Sequence, residues 1–97
     1  MTKIVWTDNA LHDIFQIYSY IALDSPVNAG AFTDRLMDSA EKQLNVSPTI
    51  GRIVPEIQDP AIREIIYEKY RVMYHFEDDV VSITHVRHGA RDFSKVE

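Results

Sequence analysis

The sequence predicts an α+β fold, with a helical hairpin packed on one face of an antiparallel sheet and elements in the order β-α-α-β-β-β. Three observations carry this expectation. Two apolar stripes of helical period occupy the first half of the chain and are joined by little more than a Ser-Pro step. Three runs of strand-like alternation fill the stretch from residue 62 to 88. Between them lies a segment, 45–60, that holds three of the four prolines and breaks both periods.

Each element has a local cause. "KIVWT" (Lys3–Thr7) is a β-branched and aromatic run and reads as a strand. Thr7 or Asp8 then caps a helix ending near Asp24, with Leu11, Ile14, Phe15, Tyr18, Ile21 and Ala22 assigned to its apolar face. Ser25-Pro26 is an N-cap followed by proline at the first helical position, where the missing N–H does no harm. Ala29, Phe32, Leu36, Ala40 and Leu44 form the stripe of the second helix; Asp34, Arg35, Asp38, Glu41 and Lys42 fill its solvated face. So short a connection makes the two helices antiparallel neighbours on a common partner layer.

Residues 45–60 read as a loop with a short strand near Arg52–Val54. Strands are expected at Ile62–Glu68, Tyr70–Phe76 and Val80–His88, the last two joined by a polar turn at Glu77–Asp79. In the middle strand Tyr70, Val72, Tyr74 and Phe76 share one face, and Arg71, Met73 and His75 the other. The aromatic face is expected on the helices and the arginine face partly open.

Composition narrows the function. The 97 residues suit one domain, 1–97, and a single core without staples. There is no cysteine, which excludes disulfides and thiolate metal sites. No run approaches the length of a signal peptide core or a membrane span. A soluble, cytoplasmic protein is the expectation. The net charge of −5 disfavours broad contact with nucleic acid, where neutralisation of phosphates supplies most of the affinity. Against that acidic background the end of the chain, "HVRHGARDF" (His85–Phe93), is locally basic.

Several segments together resemble the RelE/ParE toxin superfamily. They are Trp6 on the first strand, Ser25-Pro26 with Ala29 and Phe32, Gly51-Arg52 with Val54-Pro55-Glu56, Arg63-Glu64, Tyr70-Arg71, and His88 to Phe93. The resemblance implies two helices on an antiparallel sheet, and the toxin half of a toxin–antitoxin pair. It further implies a cognate, ParD-like antitoxin whose C-terminal segment wraps the toxin, with DNA contacted only through that antitoxin. RelE-like members cleave messenger RNA on the ribosome, whereas ParE-like members poison DNA gyrase. The "HGARD" ending and the Ser-Pro helix start are more similar to the ParE side. The acidic second helix, with Lys42 its only lysine, departs from the basic surface of the nucleases.

Cleavage of RNA needs a proton acceptor, a proton donor and cations around the phosphorane-like state. The candidates are Arg71, His88 and Arg91, with His88 as proton carrier and Arg91 as a phosphate clamp. The resemblance places Arg71 where the nucleases contact the scissile phosphate. For a binding toxin, Arg71, Arg87 and Arg91 form a cationic patch for target or antitoxin, and Tyr18 and Tyr20 join the antitoxin surface. The plainer reading pairs these arginines with Glu64, Glu68 and Asp92, leaves His75 and His85 structural or solvated, and gives Gly89 a positive-φ turn. No metal site and no cofactor is expected: the histidines stand at 12, 75, 85 and 88, and His85 and His88 fall on opposite strand faces. The resemblance implies a gyrase-directed toxin first, a ribosome-dependent messenger RNA endonuclease second, and an inactive homologue that only binds its antitoxin third.

Overall fold

The structure, a computed structural model, describes residues 2–89. Strand β1 (Lys3–Trp6) leads into helix α1 (Asp8–Ala22) and helix α2 (Pro26–Val46). Strands β2 (Arg52–Ile53), β3 (Ile62–Tyr67), β4 (Tyr70–Glu77) and β5 (Val80–His88) follow. They form one sheet in the order β1-β5-β4-β3-β2. Three of the pairings are antiparallel, but β1 runs parallel to β5, with Lys3 opposite Val80 and Trp6 opposite Ile83. The sheet is therefore mixed. The helical hairpin is itself the crossover that returns the chain to the same sheet, which a parallel pair requires.

Both helix starts follow from their caps. Thr7 accepts a hydrogen bond from the Ala10 N–H and Ser25 from the Asn28 N–H, with Pro26 just inside α2. The core lies between hairpin and sheet. Ala10, Ile14 and Ile17 of α1 and Leu36, Ala40 and Leu44 of α2 meet Ile65, Val72, Tyr74, Val81, Ile83 and Val86. The α2 stripe matches its expectation. The α1 stripe does so only in part: Ile14 is buried and Ile21 packs on the core, but Leu11, Phe15 and Tyr18 are exposed, and Ala10, Asp13 and Ile17 are buried. The helix is rotated because its inner face carries a carboxylate that the edge of the sheet needs.

The other face of the sheet, expected to be partly open, is partly covered. Val54 and Met73 form a second small cluster with Ile57 and Ile62, so the proline-rich loop folds back over β3 and β4. Tyr74 pins the start of that loop, donating to the Pro48 carbonyl at 2.8 Å and accepting from the Gly51 N–H at 3.0 Å. Gly51 must stay small there, since a Cβ would lie 2.5 Å from the Glu64 carbonyl oxygen and 2.7 Å from the Tyr74 hydroxyl. At the β4–β5 turn Asp78 and Asp79 both adopt positive φ, the twist that two-residue hairpins favour.

Between Met73/Tyr74 of β4 and Ile83/His85 of β5 the register shifts. Thr84 is the extra residue of a β-bulge. Val81 and Ile83 point into the core before it, Val86 after it. A strict alternation over β5 would have placed one of these groups on the wrong face.

Candidate functional site

Arg71 is the centre of a charge network beneath the proline-rich loop. Its Nε donates to Glu64 at 2.6 Å, and its two terminal nitrogens donate to the two oxygens of Glu56, both at 2.8 Å. The second oxygen of Glu64 accepts from Arg52 Nε at 2.6 Å. The Arg71 side chain is 7% exposed, Glu64 0% and Glu56 26%. The bidentate fork to Glu56 is the strongest geometry available to this pair. Those hydrogen bonds, opposed by burial and helped by Glu64, raise the guanidinium pKa further above its already high value. Arg71 does not stand on an open face. Of the carboxylates weighed for it, Glu64 is the partner and Glu68 is not, and Glu56 joins from the loop.

The cationic patch expected of Arg71, Arg87 and Arg91 does not assemble in the described residues. Arg71 and Arg87 are register partners across β4 and β5, yet their side chains diverge. Arg87 Nε reaches Asp13 of α1 at 3.2 Å. The same Asp13 oxygen accepts from the Val86 N–H at 2.9 Å. This carboxylate does a job that a strand would otherwise do. The pairing of β1 with β5 ends at Ile83, and the edge beyond it needs other partners. Asn9 Nδ2 donates to the Thr84 carbonyl at 2.6 Å, and Asp13 takes Val86. Arg91 lies outside the described residues, as do Asp92 and Phe93.

His88 ends β5 on the helix side of the sheet. Its ring meets Tyr70 edge to face, centroids 5.8 Å apart, and Tyr70 packs in turn on Phe32. Arg71 and His88 therefore project to opposite faces of the sheet. His85 is buried beside Thr84, with Nδ1 3.1 Å from the hydroxyl. His75 sits half-buried with Nε2 3.4 Å from Glu77. Gly89 does not adopt a positive φ, contrary to expectation; a Cβ there would lie 3.2 Å from the Lys69 carbonyl. Tyr18 and Tyr20 are both exposed, Tyr20 at 73%. Among the described residues no three His, Asp or Glu side chains gather as a metal site, and no helix is long and apolar enough to cross a membrane.

Sequence reasoning missed two residues that organise this region. Glu56 stands out in the sequence only as part of Val54-Pro55-Glu56, and Asp13 is not singled out at all. The signal for Asp13 is its place on the helical face of Ala10, Ile14 and Ile17.

The fold and these residues can be set beside known proteins. Residues 4–93 match the family model for the ParE toxin of the type II toxin–antitoxin system parDE. Over 92 residues the chain is 34% identical to Toxin RelE2 of Caulobacter vibrioides, covering 94% of this chain and 99% of that one. A chromosomal ParDE toxin–antitoxin system from P. aeruginosa is similar in structure. Its TM-score is 0.75 at 21% identity, over 91% of this chain and 96% of the other. The toxin–antitoxin complex RelBE2 from Mycobacterium tuberculosis gives a TM-score of 0.63 at 19% identity, over 90% and 96%. At those identities the two structures bear on the fold alone. The matched family model and the RelE2 likeness span nearly the whole chain, and the chain belongs to the ParE toxin family of type II toxin–antitoxin systems, within the RelE/ParE superfamily.

Proposed function

We propose that this toxin acts in the cytoplasm by binding a macromolecular target, DNA gyrase, rather than by cleaving RNA, and that a cognate antitoxin silences it. The observation that carries the reading is the state of Arg71. A scissile phosphate brought to Arg71 finds the fork already taken by Glu56 and Nε by Glu64, so it binds only by displacing a bidentate carboxylate. The proton carrier weighed alongside it, His88, ends β5 on the opposite face of the sheet, so Arg71 and His88 do not converge on one phosphate. The net charge of −5 adds to this by opposing attachment to ribosomal RNA.

The antitoxin reading draws support from the outer side of the hairpin. Leu11, Phe15 and Tyr18 form an exposed apolar stripe on α1, with Phe15 62% exposed. A contiguous row of this kind is the usual footing for an amphipathic partner. The two similar solved structures are a ParDE system and a RelBE2 toxin–antitoxin complex, which favours a partner of that kind here.

Two assays on the purified chain test the reading. With gyrase, relaxed plasmid and ATP, supercoiling should fall as the protein is added. With translating ribosomes, a defined messenger should remain intact. Cleavage of the messenger that disappears in Arg71→Ala would reverse the assignment. Activity in neither assay, with retained antitoxin binding, would point to an inactive homologue.

A further inference from the structure

Helix α1 is turned away from its own apolar side. An α-helix advances about 100° per residue, so the large apolar side chains from Leu11 to Ile21 centre between Ile14 and Tyr18. The buried residues, Ala10, Asp13, Ile14 and Ile17, centre between Ala10 and Ile17, roughly 70° further round. Apolar burial is non-directional and grows with the area covered, so by itself it would turn Leu11, Phe15 and Tyr18 inward. They stay 44%, 62% and 37% exposed. A directional interaction opposes the turn.

Two side chains supply it. Asn9 Nδ2 donates to the Thr84 carbonyl at 2.6 Å, and Asp13 Oδ2 accepts from the Val86 N–H at 2.9 Å. They stand about one turn apart on the flank of α1 opposite the exposed row, and they grip two backbone groups of one strand. A single contact would leave the helix free to swivel about it; two at different heights along the axis fix its rotation. The Asp13 bond is buried, and a buried N–H left without a partner is costly. Turning the apolar side inward would swing Asp13 away from β5 and strand the Val86 N–H, beside the edge that β1 no longer covers.

We propose that Asn9 and Asp13 are positioning residues for partner recognition: their grip on β5 holds α1 in the one rotation that keeps Leu11, Phe15 and Tyr18 in solvent, where a partner reads them. Neither residue touches the partner; both act through the row they hold out. The inference rests on the reading of that row as the footing of the antitoxin, and adds what keeps the row presented when no partner covers it. The chain gives up the burial of three large side chains to do so, which is the trade of stability for function expected at a binding surface.

The experiment compares wild type with Asp13→Ala, Asn9→Ala/Asp13→Ala, Asp13→Asn and Tyr74→Phe. Nitration of Tyr18, measured by mass spectrometry against that of Tyr20 in the same molecule, reads the rotation. Tyr20 is 73% exposed and lies on the far flank, so it stays accessible when Tyr18 turns in. In both alanine variants the Tyr18 share should fall, further in the double, and antitoxin affinity should drop about tenfold or more. Asp13→Asn should keep both near wild type, since its amide oxygen still accepts from the Val86 N–H. Tyr74→Phe weakens the loop anchor instead, and should lower the melting temperature without moving either readout. A merely structural role for Asp13 predicts the opposite sign, because a loosened helix exposes Tyr18 more. An unchanged or raised Tyr18 share in the alanine variants would therefore overturn the inference and leave the antitoxin reading standing. If the double variant does not melt cooperatively, Asp13→Ala decides alone. Wild type that binds no antitoxin would overturn the antitoxin reading and the partner half of this inference, and the Tyr18 share then decides whether these two side chains set the rotation.

Discussion

Glu64 offers the sharpest test of how charge is arranged in this protein. It is 0% exposed, and it joins Arg71, 7% exposed, to Arg52, 59% exposed. The contacts to the two arginines are chemically alike and equally short, at 2.6 Å. Their energetic weight differs because their surroundings differ. Glu64→Gln removes the buried countercharge of Arg71 and leaves that guanidinium with Glu56. Breaking a buried pair in this way costs about 3–5 kcal/mol, and the surviving Glu56 contact places the expectation near the lower end. Arg52→Gln breaks a contact that water and salt already screen, and an exposed pair is worth about 0–1 kcal/mol. For a small domain, about 3 kcal/mol corresponds to a fall in melting temperature of roughly 12 °C or more. Urea unfolding of wild type and both variants is the assay, with unchanged slope as the sign that the transition stays two-state. Equal losses for Glu64→Gln and Arg52→Gln, or a loss below about 1 kcal/mol for Glu64→Gln, would refute the reasoning from burial.

Three further outcomes follow from the same structure. Tyr74→Phe keeps the ring but strands the Gly51 N–H and the Pro48 carbonyl, and should lower the unfolding free energy by about 1–3 kcal/mol; Tyr74→Ala should cost about 3–5 kcal/mol, and a negligible shift in either would mean the loop anchor is elsewhere. Burial raises the hydroxyl pKa of Tyr70, helped by Tyr20, and that of Tyr74, against the Gly51 hydrogen bond and Arg63. The folded chain thus holds these protons more tightly than the unfolded one, so their stabilisation is full below the ordinary tyrosine value of about 10 and is lost as pH rises through it; a urea midpoint that stays constant across that window would count against it. Phe15→Ser, at a site 62% exposed, should leave the melting temperature within the error expected of a surface change, about 0.5 kcal/mol; a large drop would show that the α1 stripe is core after all.

The sequence alone determined the order of elements, both helix caps, the α2 stripe and the inward face of β4, because each depends on a local pattern. Thr7, Ser25 and Pro26 act within one turn of chain, and Tyr74 shares its face with Val72 by the pleat alone. The family resemblance was legible too, since its segments lie in order along one chain. The rest depends on contacts between residues distant in sequence. The rotation of α1 is one case: by apolarity Leu11, Phe15 and Tyr18 should be inside, but Asp13 must face β5 to satisfy Val86 where β1 has ended. The bulge at Thr84 is another, since nothing in "VVSITHV" marks the residue at which alternation changes phase. The fate of Arg71 is the third. Its neighbour Glu64 was readable from strand pairing, but Glu56 arrives from a loop 15 residues away in sequence. Loop placement reflects the packing of Val54 and Ile57 on Met73, a contact that no local propensity encodes. That packing turns the arginine expected to face a target into the anchor of the loop that covers it.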